Sequence, residues 1–306
     1  MRHAVFLGAL ALAAGLSHPA HAEPSCADWA SEAFFAAASV EKARACIADG
    51  VNIAERDDEG RTPLHLAAAQ TRDPAVVAEL LRAGADIDLT DSEGRRPIHI
   101  AAADGQAPGI LSHLAIWGSG VETELPGGHR CGWIIIGARC ATVPLHLAAE
   151  RRDATEFIAA LLAAGADPDL RDKNGRSALQ HAAANSIDAL NVAVLLQAGA
   201  SEDIADGKGL TPLHAAAQRR DGAPGILVAL LEAGGSADTG DANGTTSVHW
   251  AALRAPDSAI VDMLIDAADD PCVEDDQGRT PIMLWDLNDA LERDDVYWSL
   301  HDRCSG

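Results

Sequence analysis

The sequence predicts an all-α fold, a solenoid of stacked helix–loop–helix repeats. The first observation behind this is a tetrapeptide that keeps returning. It reads Thr62-Pro63-Leu64-His65, Arg96-Pro97-Ile98-His99, Val143-Pro144-Leu145-His146, Ser177-Ala178-Leu179-Gln180, Thr211-Pro212-Leu213-His214, Thr246-Ser247-Val248-His249 and Thr280-Pro281-Ile282-Met283. The steps are 34, 47, 34, 34, 35 and 34 residues, and a fixed period of this length marks repeats that bury their faces only against one another. The second is composition. Of 306 residues, 48% are hydrophobic but only 4% aromatic, with alanine abundant, which suits closely stacked helices better than a bulky globular core.

Residues 57–90 show how one unit is written. Asp57-Asp58-Glu59-Gly60 is a turn, the glycine being free to take positive φ. Thr62 caps a first helix and Pro63 occupies its first position, where a missing N–H does no harm. Leu64, Leu66, Ala67 and Ala68 give that helix a narrow apolar side. Asp73-Pro74 repeats the cap-and-proline start for a second helix, whose stripe is Val76, Val77, Leu80 and Leu81. Gly84 ends it. The same turns recur at Asp91…Gly94, Asp172…Gly175, Asp206…Gly209, Asp241…Gly244 and Asp275…Gly278.

This grammar resembles the ankyrin repeat family. Asp57-Asp58-Glu59-Gly60-Arg61-Thr62-Pro63-Leu64-His65-Leu66-Ala67-Ala68 and Leu80-Leu81-Arg82-Ala83-Gly84-Ala85-Asp86 match its consensus, and the likeness spans roughly residues 30–290. The resemblance implies an L-shaped stack with β-hairpin fingers beside the first helices, and a non-catalytic scaffold that grips another protein.

The ends and the compartment read separately. Residues 1–22 look like a secretory signal. A short basic start, Arg2-His3, precedes an apolar run from Val5 to Leu16 that is too short to span a bilayer, and Ala20-His21-Ala22 predicts cleavage after Ala22. The expected organisation is a signal peptide over 1–22, an N-terminal capping repeat over 23–56, repeats over 57–274 with an insertion at about 119–141, and a C-terminal capping repeat over 275–306. In the first cap only the second half of a repeat is recognisable. A periplasmic or secreted protein is expected, with no membrane insertion after cleavage. Six cysteines then read as disulfides, with fifteen possible pairings. Position favours Cys26–Cys46, Cys131–Cys140 and Cys272–Cys304, because each pair falls on a structural irregularity.

The 47-residue step carries 13 residues beyond the period, and they replace one finger. This insertion holds Trp133-Ile134-Ile135-Ile136 between Cys131 and Cys140. A loop stapled by that pair would offer a preorganised apolar contact, or it folds back onto the first helices.

Several chemistries find no support. His65, His99, His146, His214 and His249 recur once per repeat, but neighbouring helices lie about 8–10 Å apart, while zinc–nitrogen bonds are about 2.0–2.1 Å. The histidines are therefore expected to tie backbone in their own or the next turn. There is no Cys-x-x-Cys, His-Glu-x-x-His, nucleophile elbow or phosphate loop. No cofactor, metal or catalytic residue is expected. A formal net charge of -23 excludes nucleic acid and favours a partner protein that is basic. The same charge admits an alternative, an inhibitor or immunity protein that neutralises a basic exported enzyme. A monomer is expected. The contact residues predicted are Trp133, Ile134, Ile135 and Ile136, then the finger tips Glu59, Glu93, Lys173, Asn174 and Lys208. Arg72, Arg152 and Arg220 form a recurring basic spot between paired helices, and each precedes an acid expected to pair with it: Asp73, Asp153 and Asp221.

Overall fold

The computed structural model describes residues 24–120, 143–152 and 154–304. It is a two-layer helical stack. One layer holds the first helices: α1 (Glu32–Ala37), α3 (Pro63–Gln70), α5 (Pro97–Ala103), α7 (Pro144–Ala149), α9 (Ala178–Asn185), α11 (Pro212–Ala217), α13 (Ser247–Arg254) and α15 (Pro281–Trp285). The other holds the second helices: α2 (Val40–Ala48), α4 (Pro74–Arg82), α6 (Gly109–Ile116), α8 (Thr155–Ala163), α10 (Ala189–Gln197), α12 (Pro224–Glu232), α14 (Ser258–Ala267) and α16 (Asp295–Cys304). Each first helix packs on the next first helix along the whole row from α1 to α15. The second helices pack likewise from α2 to α12, and again α14 on α16.

Local chemistry explains the units. Thr62 is extended at the N-cap of α3 and Pro63 opens the helix. In α4 the buried residues include Val76, Val77, Leu80 and Leu81, the stripe its spacing predicts. Gly84 follows at φ 91°. There the Gly84 and Ala85 N–H groups donate to the Leu81 and Leu80 carbonyls, each at 3.0 Å, closing the helix end. The first helices differ from their expected narrow apolar side. Every residue of α3 from Pro63 to Ala69 is buried, because α1 and α5 cover its flanks while α4 covers its back. Alanine at 67, 68 and 69 makes that three-sided contact sterically possible.

One loop breaks the pattern. Between α11 and α12 the chain carries an extra residue, which accounts for the single 35-residue step. Gly222 and Ala223 both take positive φ there, 76° and 26°. The outer layer has its thinnest contact at the next junction, between α12 and α14.

Both ends are closed by aromatic side chains and a cystine. At the N-terminal end Trp29, Phe34 and Phe35 are buried, with ring centroids 5.1–5.4 Å apart. Here α1 supplies the first half of a repeat that was unrecognisable in sequence, since bulky aromatics stand where the inner units have alanines. Cys26 joins Cys46 across a Cα–Cα distance of 5.4 Å. At the other end Trp285 packs edge-on against Tyr297, and Cys272 joins Cys304 at 5.2 Å. The expected Cys131–Cys140 pair lies outside the described residues, as do Trp133 to Ile136 and the signal segment. Among the described residues no helix is long and apolar enough to cross a membrane.

Candidate functional site

The turns and the first helices form one edge and face of the stack, and a single rule builds the turns. In each, the aspartate Oδ1 accepts two backbone N–H groups, two and four residues on. Asp57 receives them from Glu59 and Arg61, Asp91 from Glu93 and Arg95, Asp172 from Asn174 and Arg176. Asp206, Asp241 and Asp275 do the same. The second oxygen, Oδ2, needs a separate partner. Arg61, Arg95 and Arg279 supply it from within the turn, at 2.7–2.8 Å. Asp241 lacks such an arginine and takes Trp250 Nε1 at 3.3 Å instead.

Successive turns are stitched tip to tip. Ser92 N–H donates to the Glu59 carbonyl, Gly207 to Asn174, Ala242 to Lys208 and Asp276 to Asn243, all at 2.8–2.9 Å. Glycine is required by this approach: a Cβ on Gly209, at φ 79°, would lie 2.7 Å from Ala242 N. The fingers are hairpin-like turns rather than paired strands. Among the described residues no strand forms and only an isolated bridge joins Arg171 to Ser177, because each turn closes too quickly to extend a ladder. Glu59, Glu93, Lys173, Asn174 and Lys208 are all exposed at these tips. Glu59 and Glu93 pair with Arg61 and Arg95 of their own turns at 3.3 and 3.0 Å. Lys173 and Lys208 enter no ion pair among the described residues.

Beneath the fingers runs the histidine row. His65 Nδ1 accepts from Thr62 N–H at 3.1 Å, and Nε2 donates to the Arg95 carbonyl of the following turn at 3.0 Å. His146, His214 and His249 bond in the same way to Leu170, Thr245 and Arg279. Gln180 reproduces the arrangement, its Oε1 accepting from Ser177 N–H and its Nε2 donating to the Leu210 carbonyl. An accepting Nδ1 requires the neutral ring, and burial accordingly lowers the pKa of His65, His214 and His249. Among the described residues no group of His, Cys, Asp and Glu could hold a metal ion.

The middle of the stack departs from this regularity. His181, one residue past Gln180, is buried between two carboxylates. Its Nε2 lies 3.0 Å from Asp172 Oδ2 and its Nδ1 lies 3.0 Å from Glu150 Oε1. Both nitrogens donate, so the ring is a cation. Burial lowers its pKa, but the bonds to Asp172 and Glu150 outweigh that and raise it. Asp172, raised by burial and lowered further by His181 and the Arg176 and Asn174 amides, ends at about 2. His146 sits 5.3 Å away, ring centroid to centroid. Burial, then the His181 charge, pushes it down to about 4. With Asp172 Oδ2 occupied, Arg176 turns away from its own turn and lies 3.5 Å from Asp206 Oδ2 in the next.

The residue following the recurring histidine is Leu66, Ile100, Leu147, His181, Ala215, Trp250 and Leu284 in successive repeats. At Ala215 the small side chain opens a cleft of about 200 Å³, lined among others by Arg176, Asp206, Gln218 and Arg219. Sequence reasoning passed over His181, Ala215 and Gln218. For His181 the signal was a polar residue in a column that is otherwise apolar, and for Ala215 the smallest side chain in that column; Gln218 lies outside it. The basic spot also resolves differently from its expectation. Asp221 is held by Arg219 rather than Arg220, since Arg219 is tucked inward to donate to the Ala183 carbonyl as well. Asp73 caps α4 through Ala75 N–H, and Asp153 lies outside the described residues.

Comparison places this architecture. The ankyrin repeat domain of Bcl-3, a member of the IkappaB family, superposes with a TM-score of 0.61 at 22% identity, covering 80% of this chain and 100% of that one. The human ASB11 ankyrin repeat domain does so with a TM-score of 0.63 at 23% identity, covering 80% and 98%. No curated protein sequence matches the chain. A family model for ankyrin repeats in three copies matches residues 30–118 and 145–238, and with turns, histidine row and helix layers all in register, the chain belongs to the ankyrin repeat family.

Proposed function

We propose that this protein is an exported, non-catalytic interaction scaffold that binds a partner protein through its finger tips, its first helices and the insertion at 119–141. Proteins built of ankyrin repeats generally bind other proteins. The observation that carries the reading here is the stitched row of fingers. Four tip-to-tip backbone bonds hold the turns in place, while Lys173, Asn174 and Lys208 stay exposed. A surface ordered before binding loses less entropy on association. Export is supported by the apolar N-terminal run with its Ala20-His21-Ala22 ending, and by cystines at both ends, which persist in oxidising compartments.

Photo-crosslinking from positions 133 and 208 in cells, followed by titration of the recovered protein against purified scaffold, tests this. Lys173→Glu with Lys208→Glu is expected to weaken the complex at least tenfold. Unchanged affinity in that variant and in Trp133→Ala sinks the reading. N-terminal sequencing of the mature chain checks export, with Glu23 expected first.

The net charge of -23 favours a narrower version, in which the partner is a basic exported enzyme that the scaffold inhibits. Its complex would weaken steeply with salt, and one held equally well at high ionic strength argues against it.

A further inference from the structure

The cleft over Ala215 has a chemistry of its own. It exists because a methyl group stands where neighbouring repeats place His181 and Trp250. At about 200 Å³ it is smaller than the roughly 300–1,000 Å³ of sites for drug-sized ligands. A single side chain is the occupant of the right size.

The donors left open in it are specific. Gln218 Nε2 is buried and has no hydrogen-bond partner among the described residues. A buried N–H left unpaired carries an uncompensated desolvation cost, so native structures seldom keep one without a use for it. Arg176 spends only its Nε, on Asp206 at 3.5 Å, and its Nη groups make no hydrogen bond among the described residues. The other donors are committed: Gln180 Nε2 to the Leu210 carbonyl, and Arg219 to Asp221 and the Ala183 carbonyl. Asp206 is engaged on both oxygens, by the Lys208 and Leu210 amides and by Arg176. The cleft presents the Arg176 guanidinium edge beside the covered amide N–H of Gln218, with the Asp206 carboxylate on the same wall already paired to Arg176. The nearest finger tips add Lys173 and Lys208.

We infer that this cleft is a carboxylate subsite, seating one Asp or Glu side chain of the bound protein between Arg176 and Gln218. The inference rests on the scaffold reading above and names the chemistry of one of its contacts. The overall charge of -23 does not oppose it. At physiological ionic strength charges beyond about 8 Å are largely screened, so the groups at the cleft decide what an incoming acidic side chain meets: Arg176 and Arg219 against the already paired Asp206, with Lys173 and Lys208 exposed on the flanking turns.

The test is a selection of random dodecapeptides, fused at the C-terminus so that only side chains supply carboxylates, against the full chain. Selected peptides should share one Asp or Glu position, and changing it to Asn or Gln should weaken binding at least tenfold. Ala215→Leu should do the same without altering the unfolding midpoint, because leucine already fills this column at Leu66 and Leu147. Arg176→Gln should weaken the same peptides. Binders without an acidic position, or binders that hold Ala215→Leu at full strength, overturn the inference. If such binders are weakened by Lys173→Glu and Lys208→Glu, the finger contact stands and the cleft alone falls. A library yielding no binder also overturns it, and leaves the scaffold reading to the crosslinking experiment.

Discussion

Arg61 and Arg176 each stand four residues after the aspartate of an Asp-x-x-Gly turn, and they go to different places. Arg61 folds back onto its own Asp57 at 2.8 Å. Arg176 leaves Asp172 and reaches Asp206, 30 residues on. The turns themselves are built alike, with the same two amides on Oδ1. What differs lies nine residues after the aspartate, where repeat one has Leu66 and the middle repeat has His181. The histidine takes Oδ2 and releases the arginine. A local motif therefore fixes the turn, while its charge partner is decided by a residue on the adjoining helix. The released arginine is also the one that lines the cleft.

The comparison breaks most completely if both claimants of Asp172 Oδ2 are removed. His181→Leu with Arg176→Gln leaves that carboxylate buried without a charged partner, its Oδ2 facing only Asn174 Nδ2 at 3.5 Å, at an expected cost of about 3–5 kcal/mol in urea unfolding. His181→Leu alone should cost much less, since Arg176 can return as Arg61 does. A double-mutant cycle therefore shows strong coupling, and additive effects would mean Arg176 cannot return.

Next in size is His65→Ala, which strips the Thr62 amide and the Arg95 carbonyl of their partner. The expected loss is about 2–4 kcal/mol, read from the same unfolding midpoint.

The pH response should separate His181 from the histidine row by sign. His146, pressed to about 4 from 6.5, contributes stability that is complete above pH 6.5 and lost as pH falls toward 4. His65 shifts in the same direction. His181 is raised, so its contribution is complete below pH 6.5 and lost as pH rises through its folded value. Asp172 loses its contribution between 3.8 and about 2. Imidazole resonances followed by NMR should show His181 titrating above 6.5 and His146 near 4. In His181→Leu the His146 value should rise, because a nearby cation has gone. If His146 does not move, the two rings are not coupled.

The smallest effect is expected from Gln180→His, under about 1 kcal/mol in either direction, as the two side chains offer the same acceptor and donor to Ser177 and the Leu210 carbonyl. A larger change would show that His181 cannot tolerate a second imidazole beside it.

Much of this was readable in advance. The Pro63 start, the Val76 to Leu81 stripe and the Gly84 stop all act within a few residues and behave as their types dictate, whereas Thr62 holds the N-cap position with its hydroxyl on His65 Nδ1 at 2.9 Å instead of on a backbone N–H. The histidine ties were also foreseen, because one ring spans only from its own cap to the next turn. Other features were not readable. The helix α1 hides behind Phe34 and Phe35, which carry no repeat signature. The choice of Arg219 over Arg220 for Asp221 depends on which one reaches the Ala183 carbonyl, 36 residues away.

By itself the sequence determined the period, the helix boundaries, the turns and the caps, because these follow from backbone preferences and neighbours close in the chain. Only the tertiary structure decided that Glu150 and Asp172 converge on His181, that Arg176 crosses to Asp206, and that Ala215 leaves an open cleft with Gln218 unpaired. Those outcomes depend on which side chains of adjacent repeats face each other, and that facing is fixed by stacking helices in register, about one repeat apart in sequence and a few ångströms apart in space.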